Sequence, residues 1–465
     1  MALAGPVRAW NLPDVLDDPL WVRPPELDIG ARLPGDEQTL PCSPVVDLSP
    51  ALSLGDVIDL ALCHNPQVKA AWAAIKLQAS AVGEARAAYM PTLTGSTSRL
   101  NNRVHYPDFP ANDSRNHGQT VYASLAWRLF DFGGREAHRE AVKQQLSAAL
   151  LSHDASLQRT LAAVIGAYFD ALTALAVKEA RSEASRLAGR TLEATQRRER
   201  NGAAAQSDTL QARAALAKAH LAEQRAVGDH QKALAILNAT MNLPSSTRIK
   251  LAISPDLPHE EARQGLEYWL QETATRHPAV LAARAQWAAA KAKVEAIRGE
   301  GLPTIDFTSN YYRNGYPNQG LQTTSSSTTT WGLTLSIPLF EGFARTYKIR
   351  GAQAQAEQGA AQMAEVESQV LAEVVKAHAD AVSSVANLGS SAALMEAAQA
   401  SVTSSEKRYA MGAADILELL SVQAALADAQ QERVRCLSEW RSARLRLMAN
   451  AGVLGRVQVM QSVMP

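Results

Sequence analysis

The chain has 465 residues, with 46 basic and 46 acidic side chains, 46% hydrophobic residues, 5% aromatics and three cysteines. That balance excludes the basic excess which phosphate binding leaves, so nucleic acid is not expected as a partner. Three cysteines are too few for a disulfide scaffold. The apolar content is made largely of small side chains, which suit close helix-helix contact.

Met1 to Asn11 show no basic stretch followed by an apolar run and a small-residue cleavage site. No signal peptide is visible, and the chain is expected to be either cytoplasmic or already relieved of its leader. Residues 1–53 read as an extended amino-terminal segment.

A first unit is expected over 54–243. Pro66 to Tyr89 is helical by composition and opens with proline at a favourable first-turn position. Thr92 to Arg103 and Gln119 to Phe130 then alternate every second residue, most clearly in Val121, Ala123, Leu125, Trp127 and Leu129, and read as strands joined by a polar segment. No proline interrupts the stretch from Pro110 to Pro244, so a long helical hairpin follows, about 135–242. Its apolar seam runs through Leu146, Leu150, Leu157, Leu161, Val164, Tyr168, Leu172 and Leu175 at coiled-coil-like steps. Within it, Thr160 to Val177 is the most apolar long window but contains Asp170, and it reads as the buried stripe of a longer helix rather than a lipid-spanning segment. Asn201-Gly202 places the turn, with Ser207 or Asp208 able to cap the returning helix.

After a linker at 244–276 the pattern recurs over 277–453, leaving a tail at 454–465. Pro278 to Pro303 answers Pro66 to Pro91, and Leu339-Phe340-Glu341-Gly342 answers Leu129 to Gly133. Arg408 to Gly412 answers Arg198 to Gly202, and Ala424 to Ala427 answers Ala214 to Ala217. Four matches in the same order at nearly constant spacing indicate two copies of one unit. Strands are therefore expected at 304–312 and 328–340, and a second hairpin at about 345–450 turning at Met411-Gly412. Each returning helix is shorter than its partner, and the proline-opened helices complete it by end-to-end stacking.

Strands of about ten residues with one apolar face and long polar loops resemble outer-membrane barrel strands. A small soluble sheet with one wet face shows the same alternation. If the strands span a membrane, four are too few to close a barrel and lipid tolerates no open edge, so several chains must share one; three chains would supply twelve strands.

At this point the residues resemble the TolC family of outer-membrane channel proteins. The likeness runs from Leu54 to Val453 through ALCHNP before the first helix, YMPTL and GLPTI entering the strands, RLFDFGGRE and IPLFEGFAR leaving them, and RRERNGAAAQSD and KRYAMGAADILE at the hairpin turns. It implies an α+β membrane protein, a homotrimer with a twelve-stranded outer-membrane β-barrel continuous with a long periplasmic α-helical barrel. It also implies a periplasmic adaptor and an inner-membrane transporter as partners, with outer-membrane lipid around the barrel. The hairpin turns at Gly202 and Gly412 become the adaptor-docking surface. Glu418 falls on a position that lines the closed periplasmic constriction in the family, Ser421 stands where a second carboxylate is usual, and Tyr409 and Asp208 match positions whose bonds hold the helices shut. Ala414 replaces the usual arginine partner.

Cys42 and Cys63 are expected to form a disulfide in the periplasm, and Cys436 reads as a small buried apolar residue. The sequence around Cys42 lacks the small residues of a lipoprotein cleavage site. Within the family, this amino-terminal region looks more like channels of type I protein secretion, driven by an ABC transporter, than like lipidated multidrug efflux channels paired with an RND pump. No phosphate-binding loop, GxSxG elbow, HExxH or metal-ligand spacing occurs, so no enzyme, catalytic residue, metal or cofactor is expected. A rival reading of another class is a soluble coiled-coil scaffold.

Overall fold

The computed structural model describes residues 18–20, 22, 48, 50–112, 114–252, 264–315 and 325–455. In chain order these give α1 (Leu54–His64), α2 (Pro66–Ala87), β1 (Thr92–Val104), β2 (Ser114–Phe130), α3 (Gly134–Arg200), α4 (Gln206–Thr240), α5 (Leu266–Arg276), α6 (Pro278–Gly299), β3 (Thr304–Asn314), β4 (Ser326–Ser336), α7 (Ala344–Ala410) and α8 (Ile416–Asn450).

The helices match in length copy by copy: α1 and α5 have 11 residues each, α2 and α6 have 22, α3 and α7 have 67, and α4 and α8 have 35. A helix of the longest class runs about 100 Å at 1.5 Å per residue. α5 corrects the expectation of a linker through 276. Its last eleven positions are helical, because Trp269 and Thr273 lie one turn apart on a face that is buried. β4 also stops at Ser336, short of the expected 340, just ahead of Pro338, which cannot donate to a ladder. β2 begins at Ser114, earlier than the alternation suggested, because its polar outer half pairs fully with β1.

The same local chemistry starts and ends equivalent helices. Ser53 and Asp56 form a capping box on α1. The Oδ1 of Asn65 accepts from the Gln67 N–H at 2.8 Å at the start of α2, and His277 Nδ1 accepts from the Ala279 N–H at 3.2 Å at the start of α6. α4 and α8 end in left-handed residues, Asn242 at φ 57° and Gly452 at φ 72°. Behind them Leu243 N–H reaches the Asn238 carbonyl at 2.8 Å and Val453 N–H the Met448 carbonyl at 3.1 Å, the wrap of a Schellman end.

These ends meet. The Nδ2 of Asn65 donates to the carbonyl of Thr240 at 3.4 Å, joining the start of α2 to the end of α4. In the second copy, Gly452 lies so close to the start of α6 that a Cβ there would be 2.7 Å from His277 Cδ2 and 2.9 Å from Pro278 Cδ.

The chain divides into two compact units, each drawing on both sequence copies. One includes Ala74–Ala149 and Ala283–Met363 and holds the sheet. The other includes Leu150–Ala282 and the chain from Ala364, and it holds the main core. In that core Leu157, Leu161, Ile165 and Tyr168 of α3 are fully buried with Leu54, Ile58, Leu62, Leu237 and Met241. The Tyr168 hydroxyl donates to the Ala252 carbonyl, beside a parallel bridge between Leu52 and Leu251. α3 is long and apolar enough to cross a membrane by composition. Its apolar window is instead the inner stripe of this core, with Asp170 exposed opposite and 3.5 Å from Arg446.

The sheet has the order β1-β2-β3-β4, antiparallel throughout, with β1 and β4 at its edges. Register separates its faces. One row holds Val121, Leu125, Trp127, Ile305, Phe307, Tyr311, Trp331, Leu333 and Leu335, where Trp127 opposes Phe307 and Phe307 opposes Leu333. Trp331 is 78% exposed and Leu333 67%, so this apolar face is uncovered within the chain. The other face is polar: Tyr122 and Ser124 both donate to Asn310 Oδ1, at 2.9 and 2.7 Å, and Arg128 pairs with Asp306 at 2.9 Å.

Candidate functional site

The expected site residues surround the two helical hairpin turns. Gly202 at φ 72° and Gly412 at φ 77° take the left-handed conformation that closes α3 and α7. Gly202 N–H donates to Glu199 and Ala203 N–H to Arg198, and the second copy repeats this with Gly412 to Tyr409 and Ala413 to Arg408.

α8 is capped by Asp415, whose Oδ1 accepts from the Glu418 N–H at 2.7 Å. That cap fixes Glu418 in the first turn, where its Oε1 accepts from Arg408 at 2.7 Å and from Ser405 at 3.1 Å. Glu418 is therefore an ion-paired carboxylate across the α7–α8 turn, and its charge is matched within its own chain. Ser421, one turn further along α8, is exposed.

Asp208 serves its own turn. α4 starts at Gln206 rather than behind a Ser207 or Asp208 cap, and Asp208 Oδ2 accepts from the Ala205 N–H at 3.3 Å while Ser207 donates to its Oδ1 at 3.2 Å. Asp208 and Tyr409 are not bonded to each other within the chain.

Tyr409 is 8% exposed and is the centre of a cluster that sequence reasoning did not assemble. The guanidinium of Arg198 lies 4.6 Å from its ring centroid and donates to its carbonyl, and Thr195 Oγ1 is 3.3 Å from its hydroxyl. Ala414, where the family resemblance leads one to expect arginine, packs against the apolar cluster of Tyr409, Ile416 and Leu419. Arg198 thus supplies a cation to Tyr409 from the other hairpin. One turn away along α3, Thr191 and Gln423 form a buried pair at 3.0 Å. Arg198 and Arg408 stand at equivalent places in the RRERNG and KRYAMG segments, and that equivalence was the signal available for both.

Cys63 is disulfide-bonded, and Cys436 is free and buried. Cys42 lies outside the described residues. Burial raises the Cys436 thiol pKa above its ordinary value, as suits an inert core position. Among the described residues no group of His, Cys, Asp and Glu is arranged to hold a metal ion.

The sequence profile of the family described as outer membrane efflux protein matches residues 57–243 and 269–453. The chain belongs to that family. Its second matched segment opens inside α5, and the two segments follow the two copies. The chain is 37% identical to protein CyaE of Bordetella pertussis over 416 residues, covering 90% of this chain and 87% of that one. It is 26% identical to the alkaline protease secretion protein AprF of Pseudomonas aeruginosa, over 87% of this chain and 85% of the relative. Among solved structures, the outer membrane protein VceC of Vibrio cholerae aligns with a TM-score of 0.74 at 21% identity, over 86% of this chain and 96% of that one. The CmeC outer membrane channel of Campylobacter jejuni aligns at 0.77 and 15%, over 88% and 89%.

Outer-membrane efflux family members of this fold combine a β domain with a helical barrel, and the described sheet and paired long helices have that architecture. The protein is accordingly an outer-membrane channel with a large periplasmic helical portion, which overturns the soluble-scaffold reading. Within the chain the sheet carries an uncovered apolar face and, opposite it, a face of Ser, Thr and Asn.

Proposed function

We propose that three copies of the chain share one twelve-stranded barrel, and that this homotrimer is the passive exit duct of a tripartite system for type I secretion of a large polypeptide. The observation that carries the assembly is the open sheet: β1 and β4 are edge strands in a sheet whose apolar face meets lipid. An unpaired backbone edge in hydrocarbon costs several kcal/mol per group, so neighbouring copies must cover it. Protein cargo is supported by two relatives, the alkaline protease secretion protein AprF and the proteases secretion protein PrtF of Dickeya chrysanthemi.

In this reading energy comes from an inner-membrane ABC transporter, and a periplasmic adaptor meets the turns at Gly202 and Gly412. Glu418, Ser421, Asp208 and Tyr409 surround the periplasmic mouth, where Tyr409 locked by Arg198 and Thr195 holds the hairpins together. A Cys42–Cys63 disulfide ties the amino-terminal segment to α1. The duct performs no chemistry and takes no cofactor or metal.

Deleting the gene tests the cargo. The culture medium should lose a large secreted polypeptide while susceptibility to small hydrophobic drugs stays unchanged. Unchanged secretion with heightened drug susceptibility would instead assign the chain to efflux.

A further inference from the structure

Four arginines lie on the lipid face of the sheet, beyond its apolar band. Strand residues two apart share a face, and Arg99 and Arg103 of β1, Arg115 of β2 and Arg313 of β3 share the row parity of Leu93, Trp127 and Phe307. Arg313 opposes Val121 at the edge of the band, Arg99 opposes Gln119 in the next row, and Arg103 opposes Arg115 further out. All four are exposed, and no hydrogen bond or ion pair holds any of them among the described residues. The only carboxylate in the four strands, Asp306, is on the opposite face and engaged by Arg128.

This placement is not explained by folding. Directly opposed like charges on neighbouring strands, as at Arg103 and Arg115, destabilise a sheet unless an anion lies between them. Edge protection places charges on edge strands, but Arg115 and Arg313 are on the inner strands β2 and β3. The position along the strands does suit an anion. The helices join the sheet at its Thr92, Phe130, Thr304 and Ser336 end, so the opposite end, where the arginines cluster, faces the exterior and the outer leaflet. From the row of Val121 to that of Arg115 the belt extends about 20 Å at 3.4 Å per residue, starting at the rim of the hydrocarbon.

We infer that Arg99, Arg103, Arg115 and Arg313 form a binding belt for the phosphorylated headgroups of outer-leaflet lipid. The belt rests on the membrane orientation proposed above. Guanidinium forks bind phosphate bidentately, and the apolar face that continues below Arg313 through Val121, Tyr311, Leu125 and Trp331 holds the acyl chains of the same molecule. The occupant is lipid rather than free phosphate because the charged and apolar rows are continuous on one face.

Native mass spectrometry of the full-length protein purified in detergent tests this, with phosphorylated lipid A, dephosphorylated lipid A or inorganic phosphate added. The parent should retain phosphorylated lipid A at least about tenfold better than the dephosphorylated form, with inorganic phosphate failing to compete. The variant R99Q/R103Q/R115Q/R313Q should still reach the outer membrane as the same oligomer yet lose that preference, and the corresponding all-lysine variant should keep much of it. Equal binding of both lipids, an unchanged glutamine variant, or displacement by inorganic phosphate would overturn the belt. A parent protein absent from the outer membrane would overturn the orientation on which it rests.

Discussion

Gly134, the first residue of α3, and Gly299, the last of α6, meet backbone to backbone: a Cβ on Gly299 would be 2.9 Å from Gly134 Cα, and one on Gly134 would be 3.0 Å from the Gly299 carbonyl oxygen. The helix leaving one strand pair is thereby pressed against the helix entering the other. Arg135 reinforces the place by bonding Asp131 at 3.0 Å and the Ala88 carbonyl at 3.2 Å, and Arg345 repeats the motif toward Glu341 and the Gly301 carbonyl at 3.3 Å.

Replacing Gly299 by alanine forces these backbones apart. Thermal unfolding should show a loss of about 1–3 kcal/mol, the range for overpacking a tight contact. Alanine at Gly228, where nothing lies within 4 Å of the added atom, is the control and should be neutral or slightly stabilising. Equal stability of both variants would show that the two helix ends can part freely.

His277 makes stability depend on pH. Burial lowers its pKa from 6.5 to about 4, and its ring accepts from the Ala279 N–H, which requires the neutral form. The folded pKa lies below the unfolded one, so this contribution is complete above about pH 6.5 and is lost as pH falls toward 4. Between pH 7.5 and 5 a loss of about 2 kcal/mol is expected. His277→Asn, which places an Asn65-like cap there, should flatten the dependence, and melting curves at pH 7.5 and 5 measure it.

The repeat, the strands and the hairpin turns were legible in the sequence because proline, glycine and period-two alternation act locally. α5 was missed because its eleven residues contain only two buried positions, too few to establish a period. The Arg198–Tyr409 contact was illegible for another reason. It joins α3 to α7 across 211 positions, and nothing local to RRERNG states which ring it covers. Glu418 was singled out from the family resemblance, but its partner Arg408, ten residues earlier across the turn, makes it a matched pair rather than a bare carboxylate.

Tyr409 separates two contributions at the hairpins. Tyr409→Phe removes only the contact with Thr195 and should cost about 1 kcal/mol. Tyr409→Ala also removes the ring under Arg198 and should cost about 3 kcal/mol or more. Bilayer recordings should show higher resting conductance for alanine than for phenylalanine; equal conductance would place this cluster away from the mouth.

The Glu418–Arg408 pair predicts opposite signs from its two members. With both side chains partly exposed, either substitution should change stability by about 1 kcal/mol or less. In ion-selectivity recordings Glu418→Gln should lower cation preference and Arg408→Gln should raise it. Identical selectivity in both variants would remove the pair from the conduction path.

The shared barrel is tested most directly by the mass of the protein extracted from outer membranes into mild detergent. A single species near three times the 49.9 kDa chain is expected, retaining its β-sheet signal. A stable, monodisperse monomer with the same β-sheet signal would contradict it, because β1 and β4 would then tolerate open edges in the membrane.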